Sequence, residues 1–474
     1  MKYLRSARFW AIVLVFVAAA VYSWNWYQDW NRYCRPRTTL KGPCLGYKVI
    51  PVKKLNEENK LEKGFDTVYY ACNEIILQPG MDSYGDDLRR YLRCQGFVRS
   101  EKCACSDSIE LWRHDPPDVD LIGVITDPPP PKSSGSGGGL SLNYKVGQED
   151  FINNIPIVIQ KEEKDKMISL QKPIDHSSQD SLFNVLIAIT DSGVDTTNKS
   201  LLRINRYLVS PDPSHSCGLR TGNYGQSMLR RPFLQKEPVD DVGHSTFIGG
   251  ILAGIASVNK QPTPNVRLSL LNIKTTVDNT GYLFDAVCGL YFGLEQGVKV
   301  FNVSWGYLDT ASTEKSPRLI KTFLSDPRAK DSIVIVAALG NNGVLLNGNT
   351  RFWPACEAEY FDNVISVGAS DASGYLATSS NFKTNYSTTP NRMTLVAPGV
   401  DIISLVPVYL HPRPTPTGFA RGSGTSFAAP FVTRVVAFHL KNWPALAAKD
   451  SIIIHADTIN QDLNGRFWTR FLRN

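Results

Sequence analysis

From residue 183 onward, short continuous apolar runs alternate with stretches whose apolar positions recur at helical spacing. FNVLIAIT, VRLSLLNIKT, KVFNVSWG, SIVIVAALG and NVISVGAS are rich in β-branched residues and predict strands. STFIGGILAGIAS, YLFDAVCGLYFGLEQG, PRLIKTFLSD and FVTRVVAFHL predict helices. Strands without polar alternation are expected where both faces are covered, as in a parallel sheet with helices on each side. The fold class read from this pattern is α/β, mostly parallel, with right-handed crossovers. In such sheets the chemistry collects at the carboxyl ends of the strands.

Ahead of this region the pattern changes. Lys2, Arg5 and Arg8 precede the uncharged run FWAIVLVFVAAAVYSW, which predicts a membrane-targeting segment over 1–30 and export of the remainder of the chain. It is read as an anchor extended through Trp24, Trp26 and Tyr27, whose rings suit a membrane interface. A signal peptide cleaved near Ala18, Ala20 or Ser23 is the alternative. Residues 31–126 hold Cys34, Cys44, Cys72, Cys94, Cys103 and Cys105, an even set that suggests disulfides with fifteen possible pairings. There NEIILQPG, SIELWRH and LIGVIT predict strands and DDLRRYLRCQG a helix ended by glycine, a small α+β domain. Among the later cysteines, Cys288 lies in an apolar helical pattern and is read as a buried free thiol. The stretch DPPPPKSSGSGGG marks a linker over 127–143, leaving 144–474 as the main domain.

At 474 residues the chain has room for two or three domains, and 42% hydrophobic residues is ordinary for a globular protein. The formal charge of +7 comes from dispersed Lys and Arg, with no basic block, so no nucleic-acid partner is expected. Nothing in the sequence sets an oligomeric state.

Candidate chemistry sits at strand ends and helix starts. Gly424-Thr425-Ser426-Phe427-Ala428-Ala429-Pro430 puts a serine at the mouth of the last helix, where unpaired N–H groups can hold an oxyanion. FNVLIAIT ends at Asp191-Ser192-Gly193, a carboxylate before a glycine turn. Asp241-Val242-Gly243-His244 opens the small-residue helix, and the dipole there disfavours a charged imidazole, which suits a general base. Gly340-Asn341-Asn342-Gly343 comes after a strand and can aim an amide at a negative oxygen. Together they supply an acid, a base, an oxyanion donor and a nucleophile.

The order Asp, His, Asn, Ser, with DSG, GHST, GNNG and GTSFAAP, resembles the subtilisin-like serine proteases over about residues 184–462. NVSWG, NVISVGASD and LVAPGVDIIS are similar to family segments as well. The resemblance implies a subtilisin-like α/β fold and an exported serine endopeptidase working through an acyl-enzyme on protein or peptide substrates. It implies Ser426 as nucleophile, His244 as base, Asp191 as orienter and Asn341 as oxyanion donor. It implies that Ser304-Trp305-Gly306 and Ala338-Leu339-Gly340 line the first specificity pocket and pair with substrate backbone. Departures bear on this. Ser245 stands where the family has glycine. Ser200 replaces a usual calcium ligand and ASVNKQPTPNV lacks the calcium loop, so the strong calcium site is expected to be absent and no cofactor is assigned. Asp309 is the only carboxylate near NVSWG, so a preference for basic residues is not expected. Residues 71–114 resemble the inhibitory propeptides of the family, which would place self-cleavage near 127–143; a structural or partner-binding ectodomain is the alternative. Two alternatives remain: a catalytically weak or inactive peptide-binding module of the same fold, and a sedolisin-type acid peptidase, against which His244 and Asn341 argue.

Overall fold

A computed structural model describes residues 15, 17–25, 27–28, 33–34, 46–55, 61–79, 84–115, 119, 121–126, 128, 139–147, 151–153, 183–195, 207–230, 237–254, 266–310, 318–347, 349–382, 394–407, 409, 418–447 and 470–471. The chain divides into two units. One comprises Met1–Gly46, Ala71–Cys103 and Ser108–Leu142; the other comprises Tyr47–Tyr70, Ala104–Asp107 and Asn143–Asn474. This differs from a simple break at 127–143, because residues 47–70 and 104–107 belong with the larger unit. Their ties are to residues distant in sequence, which local patterning cannot reveal.

Strands β1 (Tyr47–Leu55) and β2 (Leu61–Gln78) pair antiparallel from Tyr47↔Tyr69 to Leu55↔Leu61. This hairpin lies in the larger unit, and β2 then continues into the smaller one. There α1 (Tyr84–Cys94) buries Leu88, Tyr91 and Leu92, and β3 (Phe97–Lys102) and β4 (Glu110–His114) pair antiparallel. β4 also pairs with Glu74–Leu77 of β2. A bridge joins Cys34 to Cys94. LIGVIT folds as a short helix, α2 (Leu121–Thr126), not as a strand. Six apolar residues carry too little period to separate the two, and its most deeply buried pair, Leu121 and Val124, is spaced for a helix.

No helix among the described residues is long and apolar enough to cross a membrane. Most of the segment expected to do so, 1–30, lies outside the described residues; Val15, Val17, Val21, Tyr22 and Trp24 within it are exposed.

The end of the supposed linker is strand β5 (Gly139–Gly147), in which residues 141–144 and Val146 are buried. β6 (Phe151–Asn153) comes next. The main sheet is built from β7 (Phe183–Asp191), β8 (Gly225–Ser227), β9 (Val266–Lys274), β12 (Val300–Val303), β14 (Val334–Ala338), β16 (Val364–Ser370), β17 (Thr394–Pro398) and β20 (Arg470–Phe471). Its order is β20-β17-β16-β14-β12-β7-β9-β8, with every pairing parallel. Every residue of β12, β14 and β16 is buried, as a sheet covered on both faces requires. Helices α3 (His244–Leu252) and α6 (Thr425–His439) share one core with Ile187, Ile189, Val336 and Val367. Helices α4 (Leu283–Glu295) and α5 (Arg318–Ser325) pack on each other, where Tyr291 meets Phe323 edge to face.

Smaller pieces flank the sheet. β10 (Thr276–Val277) and β11 (Thr280–Tyr282) form a hairpin, β13 (Tyr307–Thr310) pairs with β15 (Thr350–Trp353), and β18 (Ile402–Leu405) pairs with β19 (Phe419–Ser423). A bridge joins Cys105 to Cys217. Cys288, read as a free thiol, is disulfide-bonded. Among the described residues Cys356 is the cysteine outside a disulfide; it is buried, and its Sγ accepts the Phe352 N–H at 3.2 Å.

Candidate active site

Asp191 ends β7, the strand whose neighbours in the sheet are β12 on one side and β9 on the other. Gly193 two residues on makes the turn with φ of 110°, and a Cβ there would meet the Pro238 carbonyl oxygen at 2.3 Å, so only glycine fits. The Asp191 carboxylate accepts the Ser192 N–H at 2.7 Å and contacts His244 Nδ1 at 2.9 and 3.0 Å through its two oxygens. Both side chains are buried, so the pair is shielded from water. A carboxylate gripping Nδ1 fixes which ring nitrogen carries the proton and leaves Nε2 facing away from it.

His244 is itself positioned by a residue outside the recognised motifs. Asp240 lies fully buried before the helix and accepts five hydrogen bonds: from the Val242, Gly243 and Thr246 N–H groups and the Ser192 and Thr246 hydroxyls. Burial pushes its carboxyl above the usual carboxylate range, and these donors pull against that. Asp240 thereby fastens the turn after Asp191 to the start of α3. The acidic pair before GHST is the signal in sequence that points to it. Ser245, the departure from glycine, is accommodated: its hydroxyl donates to Asn272 Oδ1 at 3.4 Å and its N–H to the Ser192 hydroxyl at 3.0 Å. At the end of β9 the buried Lys274 ammonium donates to Asp241 and to the Ser192 carbonyl.

Ser426 stands in the first turn of α6. Its side chain donates to the Ser304 carbonyl at 3.1 Å, and its own carbonyl accepts the Ser304 hydroxyl at 3.0 Å. The second bond has a cause in sequence. Pro430, four residues on inside the helix, has no N–H to offer that carbonyl. Ser304 is held in turn by Asn302 Nδ2 at 2.9 Å, and Asn302 Oδ1 accepts the Thr433 hydroxyl at 3.0 Å. Phe427 touches the His244 ring, with centroids 5.3 Å apart, so the helix of the serine and the histidine meet through this pair.

Asn341 comes after Gly340 at the end of β14. Its Oδ1 accepts the Thr425 N–H at 2.8 Å, and the Thr425 hydroxyl accepts the Gly340 N–H at 3.0 Å. Asn341 Oδ1 is thus tied to the residue before Ser426, and Asn341 and Ser426 line the same cavity.

A cavity of about 220 Å³ joins these residues. Ser304, Trp305, Gly306, Ala338, Gly340, Asn341, Thr425 and Ser426 all line it. Leu339 does not: it is buried, its N–H donates to Val367 and its carbonyl accepts from Asn381. Strand alternation sends Leu339 to the opposite face from its neighbours. The Trp305 indole is buried and donates to the Thr190 hydroxyl at 3.1 Å. Ser200 and residues 255–265, on which the calcium expectation rests, lie outside the described residues.

The groove also holds a stretch of this same chain. Lys145, Val146 and Gly147 of β5 pair antiparallel with β11, and Gly147 exchanges both backbone hydrogen bonds with Gly306, at 3.2 and 3.4 Å. Phe151, Ile152 and Asn153 of β6 pair antiparallel with Ser423, Gly422 and Arg421 of β19, the strand that ends three residues before Ser426. Tyr144 stacks on Tyr307 with centroids 4.4 Å apart. Asp309 accepts from the Tyr144 hydroxyl at 3.1 Å and forms a largely buried ion pair with Lys48 of β1 at 2.7 Å.

A model of the subtilase family matches residues 183–464. The chain is 29% identical over 211 residues to subtilisin DY of Bacillus licheniformis, covering 44% of this chain and 67% of that protein. It is 32% identical over 209 residues to the thermophilic serine proteinase of Bacillus sp. (strain AK1), covering 42% and 43%. It is 29% identical over 200 residues to an intracellular serine protease of Paenibacillus polymyxa, covering 41% and 52%. The matched part thus spans between about two fifths and two thirds of these relatives.

Proposed function

The chain belongs to the subtilase family of serine endopeptidases, and on that premise we propose that it hydrolyses peptide bonds with Asp191, His244 and Ser426. The Ser426 hydroxyl attacks the substrate carbonyl and gives its proton to His244 Nε2. The tetrahedral oxyanion takes hydrogen bonds from the Asn341 amide and the Ser426 N–H. His244 returns the proton to the leaving amine, and water hydrolyses the acyl-enzyme by the same route. Asp191 holds the ring in the needed tautomer and stabilises its charged form. The observation that supports the reading is the buried Asp191–His244 pair set against the helix that starts at Thr425-Ser426. A fluorophosphonate probe tests it: labelling confined to Ser426 and abolished by Ser426→Ala is expected. Unlabelled wild-type protein that binds peptides would establish a non-cutting module instead.

The first peptide in the groove is the chain's own. β5 and β6 flank Ser426 as a bound substrate's two arms would, by strand addition. Self-cleavage therefore falls between Gly147 and Phe151, beyond the 127–143 stretch. N-terminal sequencing of the larger reduced fragment checks this; a start before residue 148 or after 151 refutes it. Export is supported by the Cys34–Cys94 and Cys105–Cys217 bridges, since such bonds persist in oxidising compartments. Residues 1–30 are read as the exporting segment, anchored or cleaved; recovery of the protein in the cytoplasm would oppose this.

A further inference from the structure

Phe352 belongs to the strand β15, where it pairs with Leu308 of β13 and donates its N–H to Cys356. These backbone ties carry its ring into the cavity that Ser426 and Ser304 also line. The two walls of that cavity are Ser304-Trp305-Gly306 on one side and Ala338 and Gly340 on the other. A Cβ added to Gly306 would lie 2.2 Å from Phe352 Cε1 and 2.6 Å from Cζ. A Cβ added to Gly340 would lie 2.6 Å from Cε2 and 2.7 Å from Cδ2 of the same ring. Opposite edges of one benzene ring thus press on the two walls, and the slot between them is closed by an aromatic floor.

The ring is only 8% exposed, so it is packed in place and does not stand free to swing aside. A substrate side chain entering between the walls meets this floor. Displacing it repacks a closed core, and overpacking of that kind is unfavourable.

We propose that Phe352 is the specificity-determining residue of the groove, restricting the residue on the acyl side of the cut bond to small side chains of the size of glycine, alanine or serine. This rests on the serine endopeptidase reading. In such pockets each extra methylene shifts the rate by about 10–200-fold.

The experiment measures kcat/KM of the full chain on Ala-Ala-Pro-X p-nitroanilides with X as Gly, Ala, Leu or Phe, with active sites counted by fluorophosphonate titration. Competition from residues 145–153 lowers every rate alike and leaves the ratios intact. Wild type is expected to prefer Ala over Phe by at least about tenfold. Phe352→Gly and the milder Phe352→Ala are expected to raise the Phe-to-Ala ratio of kcat/KM at least about tenfold. Titratable wild-type enzyme that cleaves X = Phe as fast as X = Ala overturns the proposal, as do variants that fold and keep the wild-type ratio. If nothing is cleaved or labelled, the endopeptidase reading fails. Calorimetric binding of Ala-Ala-Pro-Ala and Ala-Ala-Pro-Phe amides to Ser426→Ala, with and without Phe352→Gly, then reads the pocket alone. Equal affinities in both proteins refute the role of Phe352.

Discussion

Glu357 should make the fold lose stability as pH rises. It lies in the turn Ala355–Glu359, is 0% exposed, and neither carboxylate oxygen has a hydrogen-bond partner. Burial raises its pKa from 4.5 to about 8, against the opposing pull of Lys321 and Arg351. Between those values the folded protein keeps a proton that the unfolded chain releases, so unfolding sheds protons and stability falls with increasing pH. Below pH 4.5 both states are protonated and the contribution is complete; above about 8 it is gone. Each pH unit in the window is worth about 1.4 kcal/mol, so the whole descent reaches about 5 kcal/mol as an upper limit. The assay is urea unfolding of Ser426→Ala protein, which avoids self-digestion, from pH 4.5 to 9, beside Ser426→Ala/Glu357→Gln. The double variant should lose less stability across the window. Parallel curves for the two proteins would mean that Glu357 does not hold its proton in the folded state.

Asn341→Ala should lower kcat by about 10²–10³-fold with KM little changed, measured on a small-residue p-nitroanilide. Asp191→Asn should lower kcat by about 10⁴-fold while thermal unfolding still shows a folded protein, because the imidazole would be held in the wrong tautomer. Lys48→Met leaves the largely buried Asp309 without its cation, a loss of about 3–5 kcal/mol that loosens the β1 and β5 strands; fluorophosphonate labelling of Ser426 should become faster, and an unchanged labelling rate would count against self-occupancy.

Much of the large unit is legible in the sequence because parallel strands buried on both faces write themselves as continuous β-branched runs. Asp191, His244, Asn341 and Ser426 are legible because each stands at a strand end or helix start beside a glycine or one residue from it. The rest depends on contacts that no local pattern encodes. Lys48 meets Asp309 across 261 residues, so the β1–β2 hairpin cannot be assigned to its unit from sequence. Leu339 reads as part of a wall because its neighbours are; strand alternation turns it the other way. Pro430 reads as a first-turn residue, yet it lies inside α6, where its missing N–H frees the Ser426 carbonyl for Ser304. Cys288 reads as a free thiol yet is disulfide-bonded, because thiol pairing is decided by proximity in space. Phe352 sits in RFWP, a run with no acidic residue, histidine or glycine to draw notice, and only its distances to Gly306 and Gly340 expose it.

The Cys105–Cys217 bridge changes what a cut between Gly147 and Phe151 would accomplish. Its two ends fall on opposite sides of that cut, so hydrolysis yields a two-chain molecule and not two molecules. The severed arm stays tethered, and its return to the groove is an intramolecular event at an effective concentration that dilution cannot lower. Activity after self-cleavage should then be independent of protein concentration and rise on reduction or on a second cut between Cys105 and Gly147. Electrophoresis reads the tether directly: one species without reductant, two with it.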